Sequence, residues 1–88
     1  MNSVKPNLLR VEVLSVAGTV LELENIHSLK VLLEDGSSIG ILPGHAPLVG
    51  ATADGLLFYN DEDGKKSVYI NEGVLTVRDN LVSILTTH

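Results

Sequence analysis

The amino-acid sequence predicts an all-β fold, a closed sandwich or barrel formed by a single domain. Apolar and polar residues alternate with a period of two in several short runs. Turn-forming residues separate these runs at roughly the 8–12-residue spacing that is typical of sandwiches and barrels. Residues 16–33 are the best helical candidate, but they are rich in β-branched residues and show no sustained i, i+3, i+4 stripe. We therefore predict strands rather than a helix there.

The first half of the chain contains four predicted strands. Residues 1–7 are polar and contain Pro6, so we interpret them as a lead-in to a sandwich over residues 8–87 of a single domain, 1–88. Apolar and polar residues alternate along this half of the chain, and Asn25 interrupts the pattern near the end of the second predicted strand. The turns between strands are predicted at 15–19 and 34–38, where glycine, serine and acidic residues gather. The predicted strands cover residues 9–13, 20–26, 29–33 and 39–42.

The second half contains a predicted hairpin followed by two more strands. Residues 51–55 are predicted to turn, because they end in Asp-Gly. Residues 60–66 form a polar run that we interpret as a long hairpin tip between strands 56–59 and 67–70. The chain then ends in two strands at 74–77 and 81–86.

Residues 40–49 form the most distinctive stretch, an apolar strand end that runs into a turn. Pro43 and Pro47 each fix φ near −65° and donate no backbone hydrogen bond, so neither suits a central strand. The segment is therefore predicted to be a rigid corner. Leu42, Ala46 and Leu48 are too apolar for an ordinary solvated loop, which indicates that something packs against this corner.

Composition excludes several classes of function. The net charge of −5 and the pI near 4.9 disfavour nucleic acid or an anionic membrane as the main partner, since both attract clustered Lys and Arg. The sequence has no cysteine, which excludes disulfides and thiolate chemistry. No apolar run approaches the ~18 residues of a membrane span, and the first residues lack the apolar centre of a signal peptide.

The sequence marks no catalytic, metal or cofactor site. His27, His45 and His88 show no pair at strand or helix ligand spacing. His45 could serve as a general base, but no nucleophile motif accompanies it, so we interpret it as a residue that satisfies backbone groups in the corner. No Gly-Lys-Ser/Thr phosphate loop is present, and the acidic runs lack the oxygen spacing of a calcium loop.

An alternative hypothesis concerns Lys65 and Lys66, which the sequence places at a hairpin tip. Small acidic all-β carrier domains present a lysine in such a position for biotin or lipoate attachment. The neighbouring residues, Asp63-Gly64 and Ser67, do not match the partners that such carriers show. A carrier or binding module stays open as the alternative function.

Four blocks of the sequence resemble the N-terminal β-sandwich domain of the epsilon subunit of F-type ATP synthases, called delta in mitochondria. The opening strand, Leu9–Ser15, is similar to the family's first strand. Residues 35–48 contain Gly-Ile-Leu-Pro-Gly-His-Ala-Pro, a long and specific match to the family's most distinctive motif. Residues 71–77 and 80–85 are similar to its later strands. The resemblance covers nearly the whole chain, from about residue 8 to 87.

The resemblance implies a sandwich of about ten strands that works as a non-catalytic rotor subunit without a cofactor. Such a subunit joins the gamma subunit to the ring of membrane c subunits, so that torque passes between proton or sodium flow and the catalytic head. It also implies a peripheral location on the cytoplasmic face of a bacterial inner membrane. The residues expected to contact gamma and the c ring are Ser37, Ser38, Ile41, Leu42, Pro43, Gly44, His45, Ala46, Pro47 and Leu48.

The sequence departs from the family pattern in two places. Relatives often carry a carboxylate where Ser37 and Ser38 stand, so a charged contact to the c ring is expected to be absent or moved. Most relatives also continue into a C-terminal helical hairpin, which inhibits hydrolysis and in some members binds ATP. This sequence ends at His88, after the last predicted strand, so we expect neither property from these 88 residues. Both a naturally short subunit and a trimmed one fit this ending, and we slightly favour the former.

Overall fold

The computed structural model describes residues 8–87, which form strands and turns and contain no helix. Within that range no helix is long and apolar enough to cross a membrane. The nine strands are β1 (Leu9–Ser15), β2 (Gly18–Ile26), β3 (Ser28–Leu32), β4 (Ser38–Ile41), β5 (Leu48–Thr52), β6 (Gly55–Asp61), β7 (Gly64–Ile70), β8 (Gly73–Arg78) and β9 (Leu81–Thr86).

The strands form two sheets that pack as a sandwich. The five-stranded sheet has the order β2-β1-β9-β8-β5, and the four-stranded sheet has the order β4-β3-β6-β7. Strands β1 and β9 pair in parallel, and the other ladders are antiparallel. The all-β sandwich predicted from the sequence is confirmed. The family resemblance implied about ten strands, and the described part of the chain forms nine.

The core lies between the sheets and is aliphatic, because alternate residues of each strand point inward. Both sheets contribute residues with at most 6% of their surface exposed. Burying one such side chain contributes about 1.5–3 kcal/mol before the entropy of ordering is subtracted. The core consists of Leu9, Val11, Val13, Ile26, Leu29, Val31, Ile41, Leu57, Ile70, Leu75, Val77, Val82 and Ile84.

The interruption of alternation at Asn25 corresponds to an irregularity in the first hairpin. Asn25 has a φ of 57°, a left-handed value that asparagine tolerates better than most residues. The β1–β2 register shifts between the pairs Leu9–Ile26 and Val11–Leu23. The extra residue lets Ile26 return to the core, where it is 1% exposed.

The predicted turn at residues 51–55 was wrong over its first half. Ala51 and Thr52 belong to β5, which pairs with β8 along its whole length. Thr52 is 2% exposed, and its hydroxyl donates to the Gly73 carbonyl at 3.1 Å and accepts from the Gly73 amide at 3.0 Å. Pairing with β8 therefore outweighs the weak strand preference of small residues in β5.

The predicted long tip at residues 60–66 was also wrong. Strands β6 and β7 continue to the pairs Asn60–Lys65 and Asp61–Gly64, so only residues 62–63 form the turn. The Lys66 ammonium lies 2.7 Å from the Asp61 carboxylate across the hairpin. Polar residues on both faces hide the alternation that would reveal a strand.

Candidate functional site

The stretch that the sequence singled out surrounds β4, and the chain turns at both ends of this strand. We call residues 34–37, which precede β4, the acidic turn, and residues 42–47, which follow it, the proline corner. The two lie at opposite ends of a four-residue strand, roughly 13 Å apart at about 3.3 Å per residue. The predicted interface is therefore not one continuous loop surface.

The proline corner begins with a tight turn of the type that its sequence demands. The His45 amide donates to the Leu42 carbonyl at 3.1 Å and closes a four-residue turn. Pro43 occupies the second position, where its fixed φ fits, and Gly44 occupies the third with a φ of 87°. These features define a type II turn, in which the third residue favours glycine. The predicted rigid turn is present.

A bond from a distant part of the sequence holds this turn in place. The Gly44 amide donates to the Asn80 side-chain carbonyl at 2.7 Å. Asn80 and Asp79 form the two-residue turn between β8 and β9, and both have positive φ, as in a type I′ hairpin. The Asn80 backbone carbonyl in turn accepts from the Arg10 amide at 2.9 Å. Asn80 thus joins the corner, the β8–β9 turn and the start of β1.

His45 is half-buried in the corner and has a defined hydrogen bond. Its Nδ1 lies 2.7 Å from the Ala46 carbonyl oxygen. A carbonyl oxygen can only accept, so Nδ1 carries the proton and donates, and Nε2 is left as an acceptor when the ring is neutral. This geometry gives His45 the structural role that the sequence suggested, and one ring nitrogen remains for a partner.

The acidic turn is held mainly by its own residues. The Asp35 carboxylate accepts from the Ser37 amide at 2.9 Å and from the Ser37 hydroxyl at 2.5 Å. These bonds, led by that from the hydroxyl, lower the pKa of Asp35. The base of the turn is tied to β5 by a bond from the Glu34 amide to the Ala51 carbonyl.

The predicted contact residues differ in exposure. Ile41 is 0% exposed and belongs to the core, so its side chain cannot meet a partner without unfolding. Leu48 is half-buried and packs against the core. Leu42 is 61% exposed, the largest apolar side chain that the corner presents to solvent. The exposed or half-buried residues of the set are Ser37, Ser38, Leu42, Pro43, Gly44, His45, Ala46, Pro47 and Leu48.

Beside the corner, the outer face of the four-stranded sheet carries a groove that the sequence did not reveal. Its volume is about 690 Å³, and its lining includes Leu42, Phe58, Lys30 and Lys65. Gly40 forms part of it, and a Cβ added there would meet no atom within 4 Å. Because alternate side chains of a strand point to opposite faces, the outward-facing positions of β3, β4, β6 and β7 can be identified, and none of them is Asp or Glu. An apolar groove lined by three lysines, of which Lys66 is the third, stands out in a chain of net charge −5.

The structure changes the geometry on which the carrier hypothesis rested. Lys65 and Lys66 lie within β7 rather than on a projecting tip. Lys66 is engaged by Asp61 at 2.7 Å and by Asp63 at 3.8 Å, and these carboxylates raise its pKa. Lys65 lines the groove and pairs through its backbone with Asn60. No group of three potential metal ligands occurs within residues 8–87.

Comparison with known sequences gives a family match over most of the chain. The family described as "ATP synthase, Delta/Epsilon chain, beta-sandwich domain" matches residues 8–88. The epsilon chain of ATP synthase from Leptospira borgpetersenii is 45% identical over 49 residues, which are 56% of this chain and 39% of the relative. That from Staphylococcus aureus is 29% identical over 79 residues, 90% of this chain and 58% of the relative. These alignments thus cover about two-fifths to three-fifths of each relative.

Solved structures with the same fold come from two mitochondrial ATP synthases. A chain of the Euglena gracilis enzyme, solved with its F1 part and c ring, superposes with a TM-score of 0.79 at 24% identity. The alignment covers all of this chain and 56% of the Euglena chain. A chain of the Tetrahymena thermophila central stalk and c ring gives a TM-score of 0.69 at 13% identity. That alignment covers 97% of this chain and 67% of the Tetrahymena chain. At these identities the likeness establishes the shared fold.

Proposed function

Because the chain belongs to the family of ATP synthase delta and epsilon chain β-sandwich domains, we propose that it is a non-catalytic central-stalk subunit of an F-type ATP synthase. In this role it joins the gamma subunit to the c ring, so that torque passes between ion flow and ATP synthesis. The coupling ion is a proton or sodium. The similar bacterial epsilon chains support a peripheral position on the cytoplasmic face of a bacterial inner membrane.

The observation that carries this proposal is the proline corner within the matched domain. A subunit that transmits torque needs contact surfaces that keep their shape under load. The corner meets this need, because two prolines, a type II turn and the bond from Gly44 to Asn80 define its backbone. Leu42 projects from this fixed frame and gives a partner an apolar anchor.

We assign the two ends of β4 to one interface region with two contact points. The acidic turn offers hydroxyls and carboxylates, whereas the corner and the adjoining groove offer apolar surface beside three lysines. Separation by the length of β4 lets the small domain touch gamma and the c ring at the same time. Ile41 supports this region from the core, and the remaining residues of the predicted set provide the contacts.

Purified gamma subunit and purified c ring, each immobilised separately, test the proposed function directly. The 88-residue chain should be retained by both and should show no hydrolase or transferase activity alone. Retention by neither would overturn the proposal. Leu42→Ser removes the exposed anchor and should weaken retention, while Val16→Ser removes a still more exposed apolar residue on the distant β1–β2 turn and should not.

Site-specific crosslinking can assign each contact point, because the native sequence has no cysteine. Ser37→Cys in the acidic turn and Ala46→Cys in the proline corner each give a single reactive position, and both positions are exposed. A photoreactive maleimide at each position should label gamma or the c ring within the assembled complex. Val20→Cys, on the edge strand β2 of the five-stranded sheet, is an exposed control away from both contact points and should label neither.

A further inference from the structure

A small recess separates the proline corner from the β8–β9 turn, and its lining differs from that of the apolar groove. Its volume is about 300 Å³, at the lower end of the range for ligand sites and therefore suited to one side chain. Gly44, His45 and Pro47 form one wall, and Asp79 and Asn80 form the other. No local sequence pattern predicts this recess, because its walls lie more than thirty residues apart.

Most polar groups of the corner wall are already engaged. The Gly44 amide donates to Asn80, and Nδ1 of His45 donates to the Ala46 carbonyl. Pro47 has no amide hydrogen to offer. Among the side chains of this wall, the group left for a partner is the acceptor lone pair on Nε2 of His45.

The opposite wall adds a negative charge. The Asp79 carboxylate lies 3.7 Å from Nε of Arg78, and these side chains are 91% and 84% exposed. An ion pair this exposed contributes little and is easily exchanged for another. The Asn80 amide group is the remaining donor beside these acceptors. Two residues with acceptor groups, His45 and the charged Asp79, thus line a recess the size of one side chain.

We propose that this recess receives a single lysine or arginine side chain of the protein that binds the proline corner. The proposal rests on the function proposed above and makes its contact more specific. A cationic donor satisfies the Asp79 carboxylate and Nε2 of His45 at once, and charge-assisted hydrogen bonds of this kind are about twice as strong as neutral ones. Leu42 provides the apolar part of the contact, and the recess provides its orientation.

Asn80 keeps the recess open. Its side chain fixes the Gly44 amide at 2.7 Å, and its backbone carbonyl is fixed by Arg10. Both walls are therefore held at a set separation before a partner arrives. A recess formed in advance avoids much of the ordering cost of binding.

The test measures binding of purified gamma subunit and, separately, of purified c ring to the full 88-residue chain by calorimetry at several salt concentrations. Asp79→Asn removes only the charge and suits the left-handed backbone at this position. It should weaken binding about threefold and flatten the salt dependence. Asp79→Lys should weaken binding tenfold or more. Glu72→Lys makes the same charge change just before β8, at the opposite end of that strand from Asp79, and should stay within twofold of the wild type.

Each outcome separates the two proposals. If the wild-type chain binds gamma or the c ring but Asp79→Lys binds each of them equally well with the same salt dependence, the recess proposal falls and the proposed function stands. If the wild-type chain binds neither gamma nor the c ring, both fall. Thermal unfolding of each variant detects any folding defect. The salt dependence of binding by Asp79→Asn is a second readout, because a loss of stability alone would not change it.

Discussion

The proline corner and the acidic turn flank the same strand, yet their shapes are stabilised over very different distances in the chain. The corner depends on a bond between Gly44 and Asn80, which lie 36 positions apart. The acidic turn depends mainly on bonds between Asp35 and Ser37, two positions apart. A change in the first region should therefore affect the fold around it, whereas a change in the second should remain local.

The largest expected effect concerns the strand end that carries the corner. Ile41→Ala should lower the free energy of unfolding by about 2–5 kcal/mol, because it opens a cavity beneath a side chain that is 0% exposed. Leu42→Ala, one position further, should change stability by less than about 0.5 kcal/mol. Urea unfolding of the two variants measures this contrast. Equal losses would mean that the core and the contact surface are not separated at this boundary.

Gly44 and Gly36 provide the closest comparison between the two regions. Their φ values are 87° and 91°, and a Cβ at either position would meet no atom within 4 Å. Alanine at each position should therefore cost about 1–2 kcal/mol of backbone strain. Urea unfolding should give similar losses for the two variants.

The consequences for local structure should differ between these variants. Gly44→Ala should also disturb the amide resonances of Asn80 and Arg10 in NMR spectra, because strain in the corner passes through their hydrogen bonds. Gly36→Ala should disturb only its neighbours. Shifts confined to the corner in Gly44→Ala would contradict the long-range coupling.

Asn80 tests the same coupling from the other side. Asn80→Gly keeps the left-handed backbone but removes the acceptor for Gly44, so stability should fall by about 1 kcal/mol. Asn80→Asp keeps an acceptor oxygen in the same place and should lose less. Amide hydrogen exchange at Gly44 reports the bond itself and should accelerate in the glycine variant. Unchanged exchange there would show that another contact holds the corner.

The contrast between the regions also explains which features the sequence could predict. Pro43 and Gly44 specify their turn by local backbone chemistry, and alternation specified the strands around the core. The link from Gly44 to Asn80 could not be predicted in this way, because no local pattern connects two turns on different hairpins. Strand β5 was missed for a related reason, since Thr52 is held by its contacts with Gly73 of β8 rather than by its own preference.

Surface features were the hardest to predict. Asp79 and Asn80 lie between two predicted strands, but the recess they form with the corner depends on how two hairpins approach each other. The groove beside Gly40 depends likewise on the register of β3, β4 and β6. Sequence identified the residue types at the site, and tertiary contacts determined which of them face a partner.

The smallest expected effect is a pH dependence confined to the acidic turn. Hydrogen bonds from Ser37 lower the pKa of Asp35 in the folded chain. The resulting stabilisation is present above the unfolded pKa of the aspartate and is lost as the pH falls through the lowered, folded value. Ser37→Ala should therefore be less stable than wild type at pH 7, and the difference should shrink in strongly acidic solution.

Urea unfolding of the Ser37→Ala and wild-type chains at both pH values measures this difference. Ser38→Ala, at the neighbouring exposed position, is the matched control and should show a difference from wild type that does not depend on pH. Because Asp35 is fully exposed, the effect should be small. A Ser37→Ala difference that persists unchanged in acid would show that the serine stabilises the turn through its own backbone preference and not through the carboxylate. The corner, whose Gly44–Asn80 bond joins an amide hydrogen to an amide oxygen, should show no such acid dependence.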